Sequence, residues 1–207
     1  MKPSLPRLLL IADRFTEQRR AERVRRAVAA GVAWVQLRDH AADLPTFVHA
    51  AEALVPMLKA ENPALLLSIN THLEVAQRLG LGLHVGRRGP SVAEARRALG
   101  PGVLLGYSAH ELSAAQRAVA EGADYLLFSP VFPTASKPGV PAVGLETLEV
   151  VCRTVTVPVL ALGGITPERV SVCRQRGAYG VAVVSAILDV PDPEQAVQQF
   201  LKALKSF

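Results

Sequence analysis

A glycine followed two or three residues later by a short apolar run recurs along this chain, and that spacing narrows the fold more than any other feature. Gly31 precedes Trp34-Val35-Gln36-Leu37-Arg38, Gly80 precedes Leu83-His84-Val85-Gly86, Gly122 precedes Tyr125-Leu126-Leu127-Phe128-Ser129, and Gly177 precedes Val181-Ala182-Val183-Val184. The runs are too short for helices and are bounded by turn residues, so they read as buried parallel strands. The glycine before each fits a helix C-terminal cap. Helix starts are marked as well. Thr71 with Glu74, Ser91 with Glu94 and Ser113 with Gln116 have capping-box spacing, and Pro167 and Pro193 stand at a first helical position behind Thr166 and Asp192. Adding residues 8–13, 65–70, 104–108 and 157–165 to the strands gives eight βα units in order. The pattern is an internal repeat, and it predicts an α/β chain closing into a single (β/α)₈ barrel over residues 1–207.

The last two units carry the first functional signal. One strand runs through Val159-Leu160-Ala161-Leu162 into Gly163-Gly164, and the next through Val181-Ala182-Val183-Val184 into Ser185. Glycine lets a backbone approach a ligand, and a helix start supplies N–H donors and a positive dipole end. Gly163, Gly164, Val184 and Ser185 are therefore candidates for a phosphate cup of the kind that follows strands seven and eight in many (β/α)₈ barrels.

Composition excludes other classes. No apolar run is long enough to span a bilayer, and the N-terminus opens into the first strand without a signal peptide's apolar stretch, so the expectation is a cytoplasmic protein with no membrane partner. The formal charge of +5 raises nucleic acid as a partner. The arginines are dispersed over several helices, however, and aromatic residues make up only 5% of the chain without interleaving with them. Solvated helix faces are the expected role of those arginines, and no nucleic-acid partner is expected. Cys152 and Cys173 are predicted on outer helices as small hydrophobes, too few for a disulfide framework or a metal site.

Chemistry in such a barrel sits at the C-terminal strand ends. Strand two ends in Arg38, a forked donor suited to phosphate or carboxylate, with a local salt bridge to Asp39 or Asp43 as its structural alternative. Strand three ends in Asn70, able to orient a ring heteroatom, and Thr71 is accounted for as a cap. His84 lies inside strand four and reads as a satisfied barrel histidine, while Arg87 and Arg88 follow that strand where an anion could be met. Strand five leads through Ser108 to His110, a residue suited to moving a proton; a loop histidine bonded to backbone fits the segment equally well. The loop after strand six, which holds Thr134 and Lys137, is the longest in the chain and reads as a lid or binding loop.

Together, Val35-Gln36-Leu37-Arg38, Ile69-Asn70, Leu83-His84-Val85-Gly86, Gly106-Tyr107-Ser108-Ala109-His110, Ala123-Asp124-Tyr125 with Val131-Phe132-Pro133-Thr134, Lys137, Leu162-Gly163-Gly164-Ile165 and the run from Gly180 to Ile187 resemble the thiamin phosphate synthase and TenI group of thiamin-biosynthetic barrels. The resemblance implies thiamin biosynthesis and a small phosphorylated thiazole substrate. In its synthase branch, carboxylates after the strand-three Asn and in the loop after strand four hold Mg²⁺. Here those positions are Thr71 and Gly89, neither of which can replace a carboxylate at a hard-cation site.

The resemblance therefore implies, first, the TenI activity, a thiazole tautomerase. In that reading His110 is the catalytic proton shuttle, and Arg38, Asn70, Ser108, Thr134 and Lys137 are substrate-binding. Gly163, Gly164, Val184 and Ser185 hold the phosphate, and neither metal nor cofactor is expected. The alternative activity is thiamin phosphate synthase, which joins hydroxymethylpyrimidine pyrophosphate to thiazole phosphate and for which alone Mg²⁺ would be expected. A regulator that binds thiamin precursors without turnover is the remaining alternative. The sequence leaves a homo-oligomer open.

Overall fold

The computed structural model describes residues 5–134 and 139–205. Eight parallel strands close in chain order: β1 (Leu8–Asp13), β2 (Trp34–Arg38), β3 (Leu66–Asn70), β4 (Gly82–Val85), β5 (Leu105–Ala109), β6 (Tyr125–Phe128), β7 (Val159–Leu162) and β8 (Gly180–Val183). The helices between them are α1 (Gln18–Ala29), α2 (Leu44–Glu61), α3 (Leu73–Leu79), α4 (Val92–Leu99), α5 (Leu112–Ala120), α6 (Gly144–Thr154) and α7 (Pro167–Gln175); a short α8 (Ser185–Leu188) and α9 (Pro193–Lys205) follow β8. The fold is the expected (β/α)₈ barrel.

Strand alternation divides the core in two. Leu9, Ile11, Trp34, Tyr125, Leu127, Leu160 and Ala182 pack together as the barrel filling, whereas Leu8, Leu10, Val35, Leu37, Ile69 and Leu83 join the larger cluster under the helices. Trp34 and Tyr125 meet edge to face with ring centroids 4.6 Å apart. That apolar plug closes the lower barrel, so inward-facing polar side chains higher on the strands form the floor of the C-terminal mouth.

Local signals fixed most boundaries, with instructive departures. Ser91 and Glu94 form the full capping box, Asp192 Oδ1 accepts from the Gln195 amide, and Gly80 caps α3 in the left-handed region. Thr71 caps nothing: its φ is +71°, α3 begins after His72, and the Thr71 hydroxyl donates to Asn70 Oδ1 at 3.0 Å. Ser113 lies inside α5, where its hydroxyl bonds to Glu111 at the N-cap position. Nor are all the arginines solvated. Arg96 donates to the carbonyls of Gly100, Val103 and Gly122 and pairs with Asp124 at 2.7 Å, and Arg174 caps the carbonyls of Ala178 and Tyr179. These guanidiniums satisfy part-buried loop carbonyls. Cys173 is buried on α7 and Cys152 half-buried on α6; burial, foremost, pushes their thiols up to about 11 and about 12, so both behave as small hydrophobes.

Candidate active site

Two adjoining cavities open at the C-terminal mouth. The smaller, about 100 Å³, is walled by Gly163, Gly164 and Ile165 after β7, Val184, Ser185 and Ala186 after β8, Thr134 and Arg38. The larger, about 250 Å³, is walled by Gln36, Arg38, His40, Asn70, Thr71, Gly86, Arg87, Arg88, Ser108 and His110. Arg38, Ser129 and Leu162 line both.

The small cavity owes its shape to two glycines. Gly163 and Gly164 have φ of +97° and +64°, and a Cβ on Gly164 would stand 2.6 Å from the Pro133 carbonyl oxygen and 2.8 Å from Phe132 Cβ. The segment after β6 lies directly on this turn, held by the Val131 amide donating to Leu162 O at 2.9 Å and the Phe132 amide to Gly163 O at 3.1 Å. Arg169 of α7 donates to Gly164 O at 2.6 Å and stacks over Phe132, 4.5 Å from the ring centroid. Across the cup, Val184 turns out of the strand into α8, where the Ile187 and Leu188 amides donate to Val184 O at 3.2 and 2.9 Å and the Ser185 and Ala186 amides, at the first two helical positions, have no intrahelical acceptor. Gly163, Gly164, Val184, Ser185 and Thr134 thus come together with Arg38. Lys137 lies outside the described residues.

In the larger cavity, Arg38 Nε donates to Asp13 Oδ1 at 2.8 Å. Its carboxylate partner is on β1, not the local Asp39 or Asp43, because the barrel register sets Asp13 opposite Arg38. Asp39 is turned away. Burial would raise its carboxyl, but hydrogen bonds from the Thr16 hydroxyl at 2.5 Å and the Ala41 and Ala42 amides outweigh it and hold it below the usual range. Partial burial, then the Arg38 and Arg88 guanidiniums, holds the His40 imidazole below its ordinary value.

His110 stands just past β5, half-buried. Its Nδ1 meets the Ser129 carbonyl oxygen at 2.6 Å. A carbonyl only accepts, so Nδ1 carries the proton and Nε2 is the basic nitrogen of the neutral ring. The backbone bond expected of a loop histidine and the proton-handling orientation coexist in one residue. His84 is buried as expected, with Nε2 2.8 Å from Ser108 Oγ and Nδ1 3.0 Å from the Tyr125 hydroxyl. Sequence reading assigned no role to Asp13, Gln36 or Tyr125, although Gln36 and Tyr125 stand in stretches that carry the family resemblance.

The model of the family described as thiamine monophosphate synthase matches residues 8–187. The chain belongs to this family. Thiamine-phosphate synthase from Salinibacter ruber is 36% identical over 206 residues, covering 97% of this chain and 89% of the relative. The Salinispora tropica enzyme of the same name is 37% identical over 97% of this chain and 98% of its own length. Among solved structures, thiamine phosphate pyrophosphorylase from Pyrococcus furiosus superposes with a TM-score of 0.85 at 27% identity, covering 97% of this chain and 96% of that one. As a member of the thiamine monophosphate synthase family, the chain is an enzyme of thiamine biosynthesis.

The donor set beside Asn70 suits a hard cation poorly. Thr71 and Gly89 are neighbours: a Cβ on Gly89 would stand 3.0 Å from Thr71 Cγ2. Neither offers a carboxylate. The nearby Asp13 and Asp39 are committed to Arg38 and to Thr16 with two amides. Among the described residues no group of three or more His, Cys, Asp or Glu could hold a metal. Divalent ions want several oxygen ligands, and the residues present do not fit one here. No helix among the described residues is long and apolar enough to cross a membrane.

Proposed function

We propose that the chain joins hydroxymethylpyrimidine pyrophosphate to thiazole phosphate, acting as a thiamine-phosphate synthase. The carrying observation is that two anion-suited cavities share Arg38, Ser129 and Leu162 as a common wall. A phosphate in the Gly163–Gly164 and Ser185 cup sets the thiazole beside a pyrophosphate facing Arg38, Arg87 and Arg88. The ring nitrogen then forms a bond to the pyrimidine methylene carbon as that carbon's bond to pyrophosphate oxygen breaks. Holding both partners in one mouth removes much of the entropic cost of their encounter, and the guanidiniums take up charge on the leaving pyrophosphate. Asn70, Ser108 and Thr134 are assigned to substrate orientation, and Lys137, on its sequence position alone, to an anionic group of the substrate. The relatives' names support this activity and reverse the order of preference drawn from positions 71 and 89.

The tautomerase reading keeps one specific observation in its favour, the Thr71–Gly89 pair without carboxylates. In that reaction His110 Nε2 removes a proton from carbon and returns it to another ring position, and the Asp13–Arg38 pair must loosen for Arg38 to hold the substrate carboxylate.

Purified protein assayed on both reactions, each with Mg²⁺ and with a chelator, separates them. Thiamin phosphate formation is expected. Isomerisation of the carboxylated thiazole phosphate without thiamin phosphate formation overturns the proposal and installs the tautomerase; binding without either turnover points to a regulator.

A further inference from the structure

Beneath the mouth lies a chain of hydrogen bonds whose direction can be read from its ends. The Thr71 hydroxyl donates to Asn70 Oδ1 at 3.0 Å, and Asn70 Nδ2 donates to Gln36 Oε1 at 3.2 Å. With its oxygen so used, Gln36 turns its amide nitrogen inward. Neither Gln36 Nε2 nor Ser68 Oγ has a partner within ordinary hydrogen-bond distance among the described residues.

The Tyr125 hydroxyl is wholly buried, its hydrogen-bond partner among the described residues is His84 Nδ1, and a buried O–H left without an acceptor is costly. Tyr125 therefore donates to His84 Nδ1, 3.0 Å away. Burial, with a smaller contribution from Arg38, pushes the His84 imidazole down to about 3, so the ring is neutral and its one proton sits on Nε2. That proton goes to Ser108 Oγ at 2.8 Å, and the Ser108 hydroxyl hydrogen is turned away from His84, toward the cavity that Ser108 lines with His110 and Asn70. The contact is possible because residue 106 is glycine. A Cβ there would stand 2.1 Å from Tyr125 Cζ and 2.5 Å from His84 Nδ1.

We propose that His84 and Tyr125 are positioning residues that fix Ser108 as a hydrogen-bond donor to the bound substrate, so that the mouth selects a ligand presenting a lone pair there, a heteroaromatic ring nitrogen or a phosphate oxygen. The opposite tautomer would make Ser108 an acceptor and favour an N–H group. The inference rests on the mouth being the site for a phosphorylated heteroaromatic, as proposed above.

The test is ¹⁵N NMR of histidine-labelled protein, with the His84 signals assigned through His84→Gln. Expected is a protonated Nε2 and an unprotonated Nδ1, with Tyr125→Phe disturbing that tautomer. In the same variant, kcat for thiamin phosphate formation is expected to fall roughly threefold to tenfold, the worth of one neutral hydrogen bond, while affinity for inorganic phosphate in the cup stays unchanged. A wild-type Nδ1–H tautomer overturns the inference, as does a Tyr125→Phe protein with unaltered tautomer and unaltered kcat. Should Tyr125→Phe not fold, the wild-type spectrum decides alone. The spectrum needs no turnover, so failure of the biosynthetic reading and failure of this one are told apart.

Discussion

His110 and Asp39 show how one side chain's hydrogen bonds decide what it can do. Because the Ser129 carbonyl fixes the proton on Nδ1, His110 can serve as a base only through Nε2. His110→Ala should lower tautomerisation by roughly 100-fold to 10,000-fold, whereas the joining reaction moves no proton to or from carbon and should be affected far less; parallel assays of the variant on both reactions check this. Asp39 is a structural carboxylate. Its folded pKa lies below the ordinary aspartate value, so its contribution to stability is complete above the unfolded value and is lost as pH falls through the folded one. Asp39→Asn should cost about 1–3 kcal/mol in urea unfolding at neutral pH, and the gap to wild type should narrow below about pH 4.

At the scale of elements, close packing of strands and loops is set by residues that leave no room. Gly106→Ala places a methyl within 2.1 Å of the Tyr125 ring carbon, and β4, β5 and β6 are all paired around it. We expect a loss of about 1–3 kcal/mol or more, read as a lower urea midpoint, together with displacement of the His84–Ser108 contact. Arg96 ties α4 to the segments before β5 and β6 through Gly100, Val103, Gly122 and Asp124. Arg96→Lys keeps the charge but not the fork, and should raise amide exchange in those two connections ahead of global unfolding.

The whole molecule brings the segment after β6, the glycine turn after β7 and α7 into one assembly at the cup. Gly164→Ala forces a Cβ against Pro133 O at 2.6 Å in a left-handed backbone conformation. Inorganic phosphate affinity, followed by calorimetry, should drop about tenfold or more, the equivalent of some 1.4 kcal/mol. Arg169→Ala should weaken phosphate binding less, since it removes a prop on Gly164 O and Phe132 while leaving the turn intact.

Much of this was legible one residue at a time. The apolar runs, their glycine stops, the Ser91 capping box and the Gly163–Gly164 turn all follow from preferences that act within a few residues of chain. The Thr71 cap failed for a local reason of another kind, since the spacing to Glu74 is right but a left-handed backbone at Thr71 points its hydroxyl at Asn70. Partners of inward-facing side chains were out of reach. Asp13 with Arg38, and Tyr125 with His84 and Ser108, sit on different strands, and which rungs meet depends on the stagger with which the barrel closes. Sequence alone determined the eight βα units and the glycine turn after the seventh strand; tertiary structure decided which donor faces which acceptor, because strand periodicity is local while barrel register is a property of the closed sheet.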